Sequence, residues 1–332
     1  MSRLILTGVG ELAANTRLVP DTETALGDED VLLRMEAAPI NPVDYLFAQN
    51  IYAVRPQLPS TLGAEGIGRV VKCGPAADPA LTGRRVLVLG SYDQGVWADT
   101  VVVPARNVVA VPDDVDGLQL AMAGINPLTA RVMLTRYADL RPGDWIGQTL
   151  GNSAVARCVS TLAKVAGVRT LSVVRSGRAA GQARAAGADL VLLDGPDLAG
   201  RVAAALGGDR LRLVLDGAGG TLPAALVAAL EFGGTVVSYA SVTGEPPAVP
   251  LGPLVFEEFA VRGLWVTNWF RHAPRAEVAK AVGEIVDLIT RGVLAVPVDS
   301  TYPLERHADA FARDAAADRA GKVLFTFHHE KV

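Results

Sequence analysis

The chain has 332 residues, of which 50% are hydrophobic and 20% charged, and its formal net charge is -4. This length predicts about two globular domains, and the composition excludes disordered, collagen-like and small disulfide-bonded proteins. The weak acidity and the lack of a basic cluster argue against a nucleic-acid partner. Every apolar run is interrupted by a charged residue or a proline before it reaches the ~20 residues that a membrane span requires. The N-terminus lacks the pattern of a signal or transit peptide, so we expect a soluble, cytoplasmic protein.

The first 120 residues have the pattern of short strands separated by turns. Apolar and β-branched runs occupy 30–35, 68–71, 85–89 and 100–103, with Gly, Pro and Asp between them. This pattern predicts an antiparallel, β-rich and partly barrel-shaped domain.

From about residue 121 the pattern changes to alternating strands and helices. Apolar strands are predicted at 145–150, 170–174, 190–193, 213–215, 235–239 and 261–266. Alanine-rich helices are predicted between them, for example at 154–166 and 222–230. The alternation predicts an α/β fold with a doubly wound parallel sheet of the Rossmann type.

The C-terminal region starts with a predicted helix after Pro274, a residue suited to a first helical turn. Its apolar positions are spaced by four, three and four residues, so they form one buried face: Val278, Val282, Ile285 and Ile289. Gly292 stands where a left-handed helix cap is expected, and 321–327 is strand-like again. We therefore expect a Rossmann domain at 121–269, inserted between the two parts of the β-rich domain at 1–120 and 270–332.

A glycine turn follows the first strand of the predicted Rossmann domain. Leu150 is followed by Gly151-Asn152-Ser153-Ala154-Val155-Ala156 and then a helix. Free N–H groups at such a helix start can hold a pyrophosphate. A complete G-x-G-x-x-G motif would have glycine at 153 and 156, so the pattern alone leaves dinucleotide binding and an ordinary strand-to-helix turn equally open.

The end of the second strand indicates which dinucleotide would bind. A carboxylate there bonds a ribose hydroxyl, whereas an arginine pairs with a 2′-phosphate. The strand closes with Val174-Arg175-Ser176-Gly177-Arg178, which contains no acid. This favours NADPH over NADH, and the alternative is that both arginines are solvated surface charges.

Metal chemistry has little support in the sequence. The two cysteines, Cys73 and Cys158, form no Cys-x-x-Cys motif, and none of the four histidines has the His-x-x-x-His spacing. A structural zinc site is therefore not expected.

Five motifs together resemble one known family. They are 38–44 (APINPVD), 124–130 (GINPLTA), 152–155 (NSAV), 173–175 (VVR) and 262–265 (RGLW). In this order they resemble the zinc-independent medium-chain dehydrogenase/reductases, and among these the 2-enoyl thioester reductases. The resemblance implies a GroES-like, partly barrel-shaped substrate domain, an inserted Rossmann domain that binds NADPH, a cleft between them and a homodimer. Gly63-Ala64-Glu65 stands where zinc-dependent relatives carry Gly-His-Glu, which implies that no zinc is bound.

The resemblance also implies a catalytic residue, Tyr52. A phenol, with an unperturbed pKa near ~10, could donate to the charge that forms on a thioester carbonyl when hydride reaches the β-carbon. Without the resemblance, Tyr52 would be an aromatic that packs a loop. Tyr45 is a nearby competitor.

Cofactor contacts are implied for a further set of positions. They are Asn126, Leu264, Trp265 and Val266 at the nicotinamide, Asn152, Ser153, Ala154 and Val155 at the pyrophosphate, Arg175, Ser176 and Gly177 at the adenosine phosphate, Tyr239, Ala240, Ser241 and Val242 along the dinucleotide, and Lys322 near the cofactor or acyl carbonyl. The alternatives are a helix start at Asn126, core aromatics at Tyr239 and Trp265, and a solvated strand residue at Lys322.

The implied activity is NADPH-dependent reduction of the carbon-carbon double bond of a 2-enoyl thioester, as in fatty acid metabolism. A quinone or alkenal reductase of the same superfamily is the first alternative. A nucleotide-binding protein without turnover is the second, because fold alone does not fix function. Tyr45, Asn50, Ala154 and Ala156 depart from the family pattern and leave the substrate open.

Overall fold

The computed structural model describes residues 1–21, 25–92 and 94–327. In chain order the elements are β1 Ser2–Leu6, α1 Leu12–Asn15, β2 Thr16–Pro20, β3 Asp30–Pro39, α2 Pro42–Ala48, β4 Ser60–Thr61, β5 Gly66–Cys73, β6 Arg85–Val88, β7 Thr100–Pro104, β8 Val108–Ala110, α3 Gly117–Ala121, α4 Asn126–Arg136, β9 Trp145–Gln148, α5 Ala154–Val165, β10 Arg169–Val174, α6 Gly177–Ala185, β11 Leu190–Leu193, α7 Leu198–Leu206, β12 Leu211–Asp216, α8 Leu222–Val227, β13 Leu230–Ser238, α9 Leu251–Phe256, β14 Ala260–Gly263, α10 Val266–His272, α11 Arg275–Thr290, β15 Val298–Tyr302, α12 His307–Ala315 and β16 Lys322–Thr326.

The described residues divide into two compact units. Unit 1 comprises 1–125 and 267–332, and unit 2 comprises 126–266. Within the described ranges, no helix is long and apolar enough to cross a membrane.

Unit 2 contains a parallel sheet flanked by helices. Six of its described strands pair in the order β11-β10-β9-β12-β13-β14, and every pairing is parallel. The strands are apolar because a parallel sheet is covered on both faces, and Leu171, Val214 and Val236 are fully buried in it. The predicted α/β class with a doubly wound parallel sheet is confirmed.

Unit 1 is built on a mainly antiparallel sheet. Among its described strands, seven form one sheet in which β15-β16-β3-β5-β6-β8 are neighbours and β7 also pairs with β3, while β2-β1-β4 form a smaller sheet. β15 and β16 are the parallel pair. Trp97, Phe47 and Phe325 are among the largest fully buried side chains of its core.

A short helix of unit 1, α2, has its start fixed by the residues around Asn41. The Asn41 N–H donates to Asp44 Oδ2 at 2.7 Å, the Asp44 N–H donates to the Asn41 carbonyl at 3.0 Å, and Pro42 occupies the first turn. The next residues leave the helix through Asn50, whose φ is 59°. The helix thereby holds Asp44 and Phe47 on one face, three residues apart.

Some predicted boundaries were wrong by several residues. The strand predicted at 261–266 ends at Gly263, and Val266 begins α10 instead. The helix predicted at 222–230 ends at Val227, because Leu230 already pairs with Leu211 in the sheet. The helix after Pro274 is confirmed as α11, and Gly292 has the expected left-handed φ of 68°.

Candidate active site

The strands of unit 2 bring their carboxyl ends to one edge of the sheet. Gln148 near the end of β9 is level with Ser172 of β10 and Leu215 of β12, and Asp216 of β12 is level with Ser238 of β13. The loops that follow these strands therefore start side by side. In open α/β sheets this edge is where ligands bind.

The glycine turn lies at this edge, between β9 and α5. Leu150 has a φ of 49°, a left-handed value that is uncommon for a residue other than glycine and occurs at functional turns. A Cβ atom on Gly151 would lie 2.6 Å from Cβ of Ser172, so only glycine fits there. Ser153 caps α5, since its Oγ accepts a hydrogen bond of 3.1 Å from the Ala156 N–H.

Two polar side chains brace the loops around this turn. Tyr239, which follows β13, shares a hydrogen bond with Ser153, and burial raises the pKa of Tyr239 to about 12. Asp216 is fully buried and accepts hydrogen bonds from Thr149 Oγ1 at 2.8 Å and from the Ala218 N–H at 3.0 Å. Asp216 was not among the predicted site residues, although it directly follows the apolar strand predicted at 213–215 and precedes Gly217.

The end of β10 presents the residues predicted for an adenosine phosphate. Arg175, Ser176 and Gly177 are all exposed. Ser176 caps α6 by accepting a hydrogen bond of 3.2 Å from the Ala179 N–H. Asn152, in the neighbouring turn, donates a hydrogen bond of 3.0 Å to Gln182 of α6.

Asn126, predicted at the nicotinamide, begins α4 and is 8% exposed. Its Nδ2 finds no hydrogen-bond partner among residues 1–21, 25–92 and 94–327. A buried amide donor without a partner costs about 1 to 3 kcal/mol, and such groups often bind a ligand.

The remaining predicted cofactor positions of unit 2 differ in burial. Ala154, Val155 and Trp265 are half-buried, Ala240, Ser241 and Val242 are exposed, and Leu264 and Val266 are buried.

Unit 1 holds a chain of buried polar side chains around Lys322. Lys322 Nζ donates to the Ile40 carbonyl at 2.7 Å and to Asn41 Oδ1 at 2.6 Å. Asn41 Nδ2 in turn donates to Glu65 Oε1 at 2.8 Å. Burial lowers the pKa of Lys322 and raises the pKa of Glu65. The structure thus places Lys322 inside unit 1, with two protein acceptors for its ammonium group.

Asp44 extends this buried cluster toward the tyrosines. It is 0% exposed, and its Oδ2 accepts a hydrogen bond of 2.7 Å from the Asn41 N–H. Tyr92 donates its hydroxyl proton to Asp44 Oδ1. Burial raises the pKa of Asp44 to about 7, although both hydrogen bonds oppose the shift.

The two candidate acids, Tyr52 and Tyr45, have different surroundings. The half-buried Tyr52 ring packs edge-on against Tyr92, with ring centroids 5.9 Å apart and an interplanar angle of 68°. Tyr45 donates its hydroxyl to Asp314 Oδ2 at 3.0 Å, and Asp314 also pairs with Arg319. Burial and Asp314 raise the pKa of Tyr45 well above its usual range. The Tyr45 proton is therefore held in a structural bond.

The cluster includes residues that the sequence analysis missed. Asn41 and Asp44 belong to the quoted APINPVD motif, and Glu65 to Gly63-Ala64-Glu65, but none was given a role. No sequence signal pointed to Tyr92, which lies in the loop after β6. Within the described ranges, no group of three or more His, Cys, Asp or Glu side chains could hold a metal ion.

Family comparisons agree with this fold. Residues 27–113 match the model of the alcohol dehydrogenase GroES-like domain, and residues 154–286 match that of the zinc-binding dehydrogenases. The chain is 34% identical over 307 residues to the mitochondrial enoyl-acyl-carrier-protein reductase of Xenopus tropicalis, which covers 89% of this chain and 87% of the relative. The chain therefore belongs to the medium-chain dehydrogenase/reductase superfamily, in which it is similar to the enoyl reductases.

Solved structures show the same likeness. A Bacillus thuringiensis protein named as an NADPH:quinone reductase superposes with a TM-score of 0.90 at 25% identity, covering 98% of this chain and 99% of the other. A mycobacterial protein solved in complex with NADPH has a TM-score of 0.85 at 27% identity, covering 98% of this chain and all of the other (100%).

Proposed function

We propose that this protein is an NADPH-dependent reductase of the carbon-carbon double bond of a 2-enoyl thioester. The main support for this substrate class is the 34% identity to an enoyl-acyl-carrier-protein reductase along 89% of the chain. Tyr52 supplies the hydroxyl that such a reaction needs, and it is held against Tyr92 in unit 1.

The residues of unit 2 fit NADPH. The first N–H groups of α5, at Ala154 and Val155, are suited to a pyrophosphate, and the exposed Arg175 is suited to a 2′-phosphate. Asn126 Nδ2, which has no acceptor in the described part of the chain, is a donor available to a carboxamide. When bound, NADPH supplies the hydride for the β-carbon. The mycobacterial neighbour that was solved with NADPH supports this assignment.

Tyr52 acts on the acyl group in this proposal. Its phenol donates a hydrogen bond to the thioester oxygen as negative charge develops there, or gives a proton to the α-carbon. Tyr45 is not the donor, because its hydroxyl proton is committed to Asp314. Lys322 orders the cluster through Ile40 and Asn41, and a direct role at the cofactor or acyl carbonyl remains a prediction.

Zinc takes no part in the proposed reaction. The histidine of the zinc-dependent Gly-His-Glu motif is replaced here by Ala64, which is buried and 2% exposed. A cytoplasmic location also remains a prediction, since the Xenopus relative is named as mitochondrial.

Quinone reduction is the second candidate, favoured by the Bacillus structure at a TM-score of 0.90. The deciding experiment measures NADPH oxidation with crotonyl-CoA, a longer enoyl-CoA, an alkenal and a quinone under identical conditions, with the zinc content of the same sample determined by elemental analysis. We expect the enoyl thioesters to give the highest kcat/KM, with no stoichiometric zinc. A preference for the quinone would replace the proposed function by the second candidate, and one zinc per chain would contradict the metal-free reaction.

A homodimer is proposed through the outer edge of the unit 2 sheet. β14 ends the strand order, and its neighbour in the described chain is β13 alone. Just before it in the chain, α9 exposes Leu251 at 72% and Phe256 at 80%. An open strand edge can pair with a second copy, and exposed apolar side chains are a surface that a second copy can cover.

The double variant Leu251→Glu/Phe256→Glu should convert the dimer to a monomer, because it places buried charges in the interface. Sedimentation velocity measures the change. Leu193→Glu is the matched control, since Leu193 is an exposed leucine on β11 at the opposite edge of the same sheet. A monomeric wild type, or a double variant that stays dimeric, would show that this edge is not the interface.

A further inference from the structure

Tyr92 is fixed at both ends of its side chain by one face of α2. Its hydroxyl donates to the buried Asp44, and its ring stacks on Phe47 with centroids 4.1 Å apart and an interplanar angle of 9°. Asp44 is itself held by the Asn41 N–H at 2.7 Å. A side chain held by a hydrogen bond and a ring stack has little rotational freedom.

Tyr52 lies on a different segment, and its ring meets Tyr92 edge-on with centroids 5.9 Å apart. Edge-to-face pairs favour a limited range of ring orientations. The phenol oxygen is bonded to the ring and its O–H bond prefers the ring plane, so a contact that limits the position and tilt of the Tyr52 ring also limits where the oxygen lies and where the O–H bond points.

We propose that Tyr92, held by Asp44, is a positioning residue that sets the direction of the Tyr52 hydroxyl. The proposal rests on the function given above, in which Tyr52 is the hydrogen-bond or proton donor. Catalytic groups must be held close to their productive geometry by packing and hydrogen bonds, and small displacements cost rate.

Tyr92 is not an alternative proton donor. Its hydroxyl proton is already given to Asp44. Burial and the charge of Asp44 raise the pKa of Tyr92 well above 10, which makes the phenol a weaker acid. Its contribution is therefore to hold Tyr52 rather than to transfer a proton.

A double-mutant cycle tests the proposal in turnover. Tyr92→Phe keeps the ring but removes the bond to Asp44, so we expect kcat to fall roughly three- to tenfold while KM for the enoyl thioester stays within about twofold. In the Tyr52→Phe background the same change should cost nothing further, because the hydroxyl that it positions is gone. Equal losses in both backgrounds would overturn the proposal, since they would show that Tyr92 acts independently of Tyr52.

A second measurement does not depend on turnover. The chain has six tyrosines, so 3-fluorotyrosine labelling gives a simple fluorine NMR spectrum in which Tyr52→Phe assigns the Tyr52 signal. We expect that signal to shift in Tyr92→Phe and to shift and broaden in Tyr92→Leu, with Tyr302→Phe as the control that leaves it unchanged. A Tyr52 signal that is identical in the wild type and Tyr92→Leu would overturn the positioning role. If Tyr52→Phe proves silent in turnover, the proposed function fails, and the NMR result still decides whether Tyr92 holds Tyr52.

Discussion

Arg175→Ala should remove most of the preference of this protein for NADPH over NADH. Arg175 is exposed at the carboxyl end of β10, where a 2′-phosphate would lie if the dinucleotide binds along this edge. One charge-assisted hydrogen bond contributes roughly 1.5 to 3 kcal/mol, so NADPH affinity should fall about ten- to a hundredfold. NADH affinity should change little, because NADH has no phosphate at this position. Fluorescence titration of both cofactors measures the two dissociation constants.

Arg184→Ala is the matched control for this experiment. Arg184 is an exposed arginine in the last turn of α6, the helix that Ser176 caps, so its loss changes the net charge equally but removes no proposed contact. A purely long-range electrostatic effect would weaken NADPH binding in both variants to a similar extent. That result, or a wild type that binds NADH as tightly as NADPH, would contradict the assignment of Arg175.

Local sequence patterns were sufficient to predict most of the fold. The strand at 190–193 was predicted with its observed bounds, and the left-handed φ of Gly292 followed from its place after an amphipathic helix. The errors arose where pairing within the sheet overrides local propensity. Alanine-rich sequence favours helix through 230, yet Leu230 pairs with Leu211, and strand-like sequence at 261–266 loses its sheet partner after Gly263.

The candidate site residues of unit 2 and those of unit 1 differ in how far the sequence predicted them. Ser153 and Arg175 could be singled out because each lies just beyond the end of a strand, so a strand prediction also places the side chain. The unit 1 cluster could not be derived this way. Lys322 and Ile40 are 282 positions apart in the chain, and Tyr92 reaches Asp44 from a loop with no motif of its own. Only the family resemblance singled out Tyr52, and it gave no indication of Tyr92.

Tyr52→Phe should have the largest effect of any substitution considered for this protein. If the hydroxyl meets charge that develops on the thioester oxygen, its loss removes a donor used mainly in the transition state, so kcat should fall more than KM rises. Losing such a donor typically costs ~10²-fold or more in rate, or about 3 kcal/mol. NADPH affinity should be preserved, because phenylalanine keeps the ring that packs against Tyr92. Steady-state kinetics with crotonyl-CoA and a cofactor titration on the same sample separate the two effects.

Tyr45→Phe provides the comparison that separates chemistry from packing. Tyr45 is a neighbouring half-buried tyrosine whose hydroxyl donates to Asp314, so its removal should lower stability by about 1 kcal/mol and leave kcat nearly unchanged. A packing role for Tyr52 makes a different prediction: Tyr52→Phe would be almost silent, and only Tyr52→Ala would harm the protein, through lost burial. Near wild-type turnover of the enoyl thioester by Tyr52→Phe would therefore remove the donor assignment, and it would favour quinone reduction, for which no tyrosine donor is expected at this position.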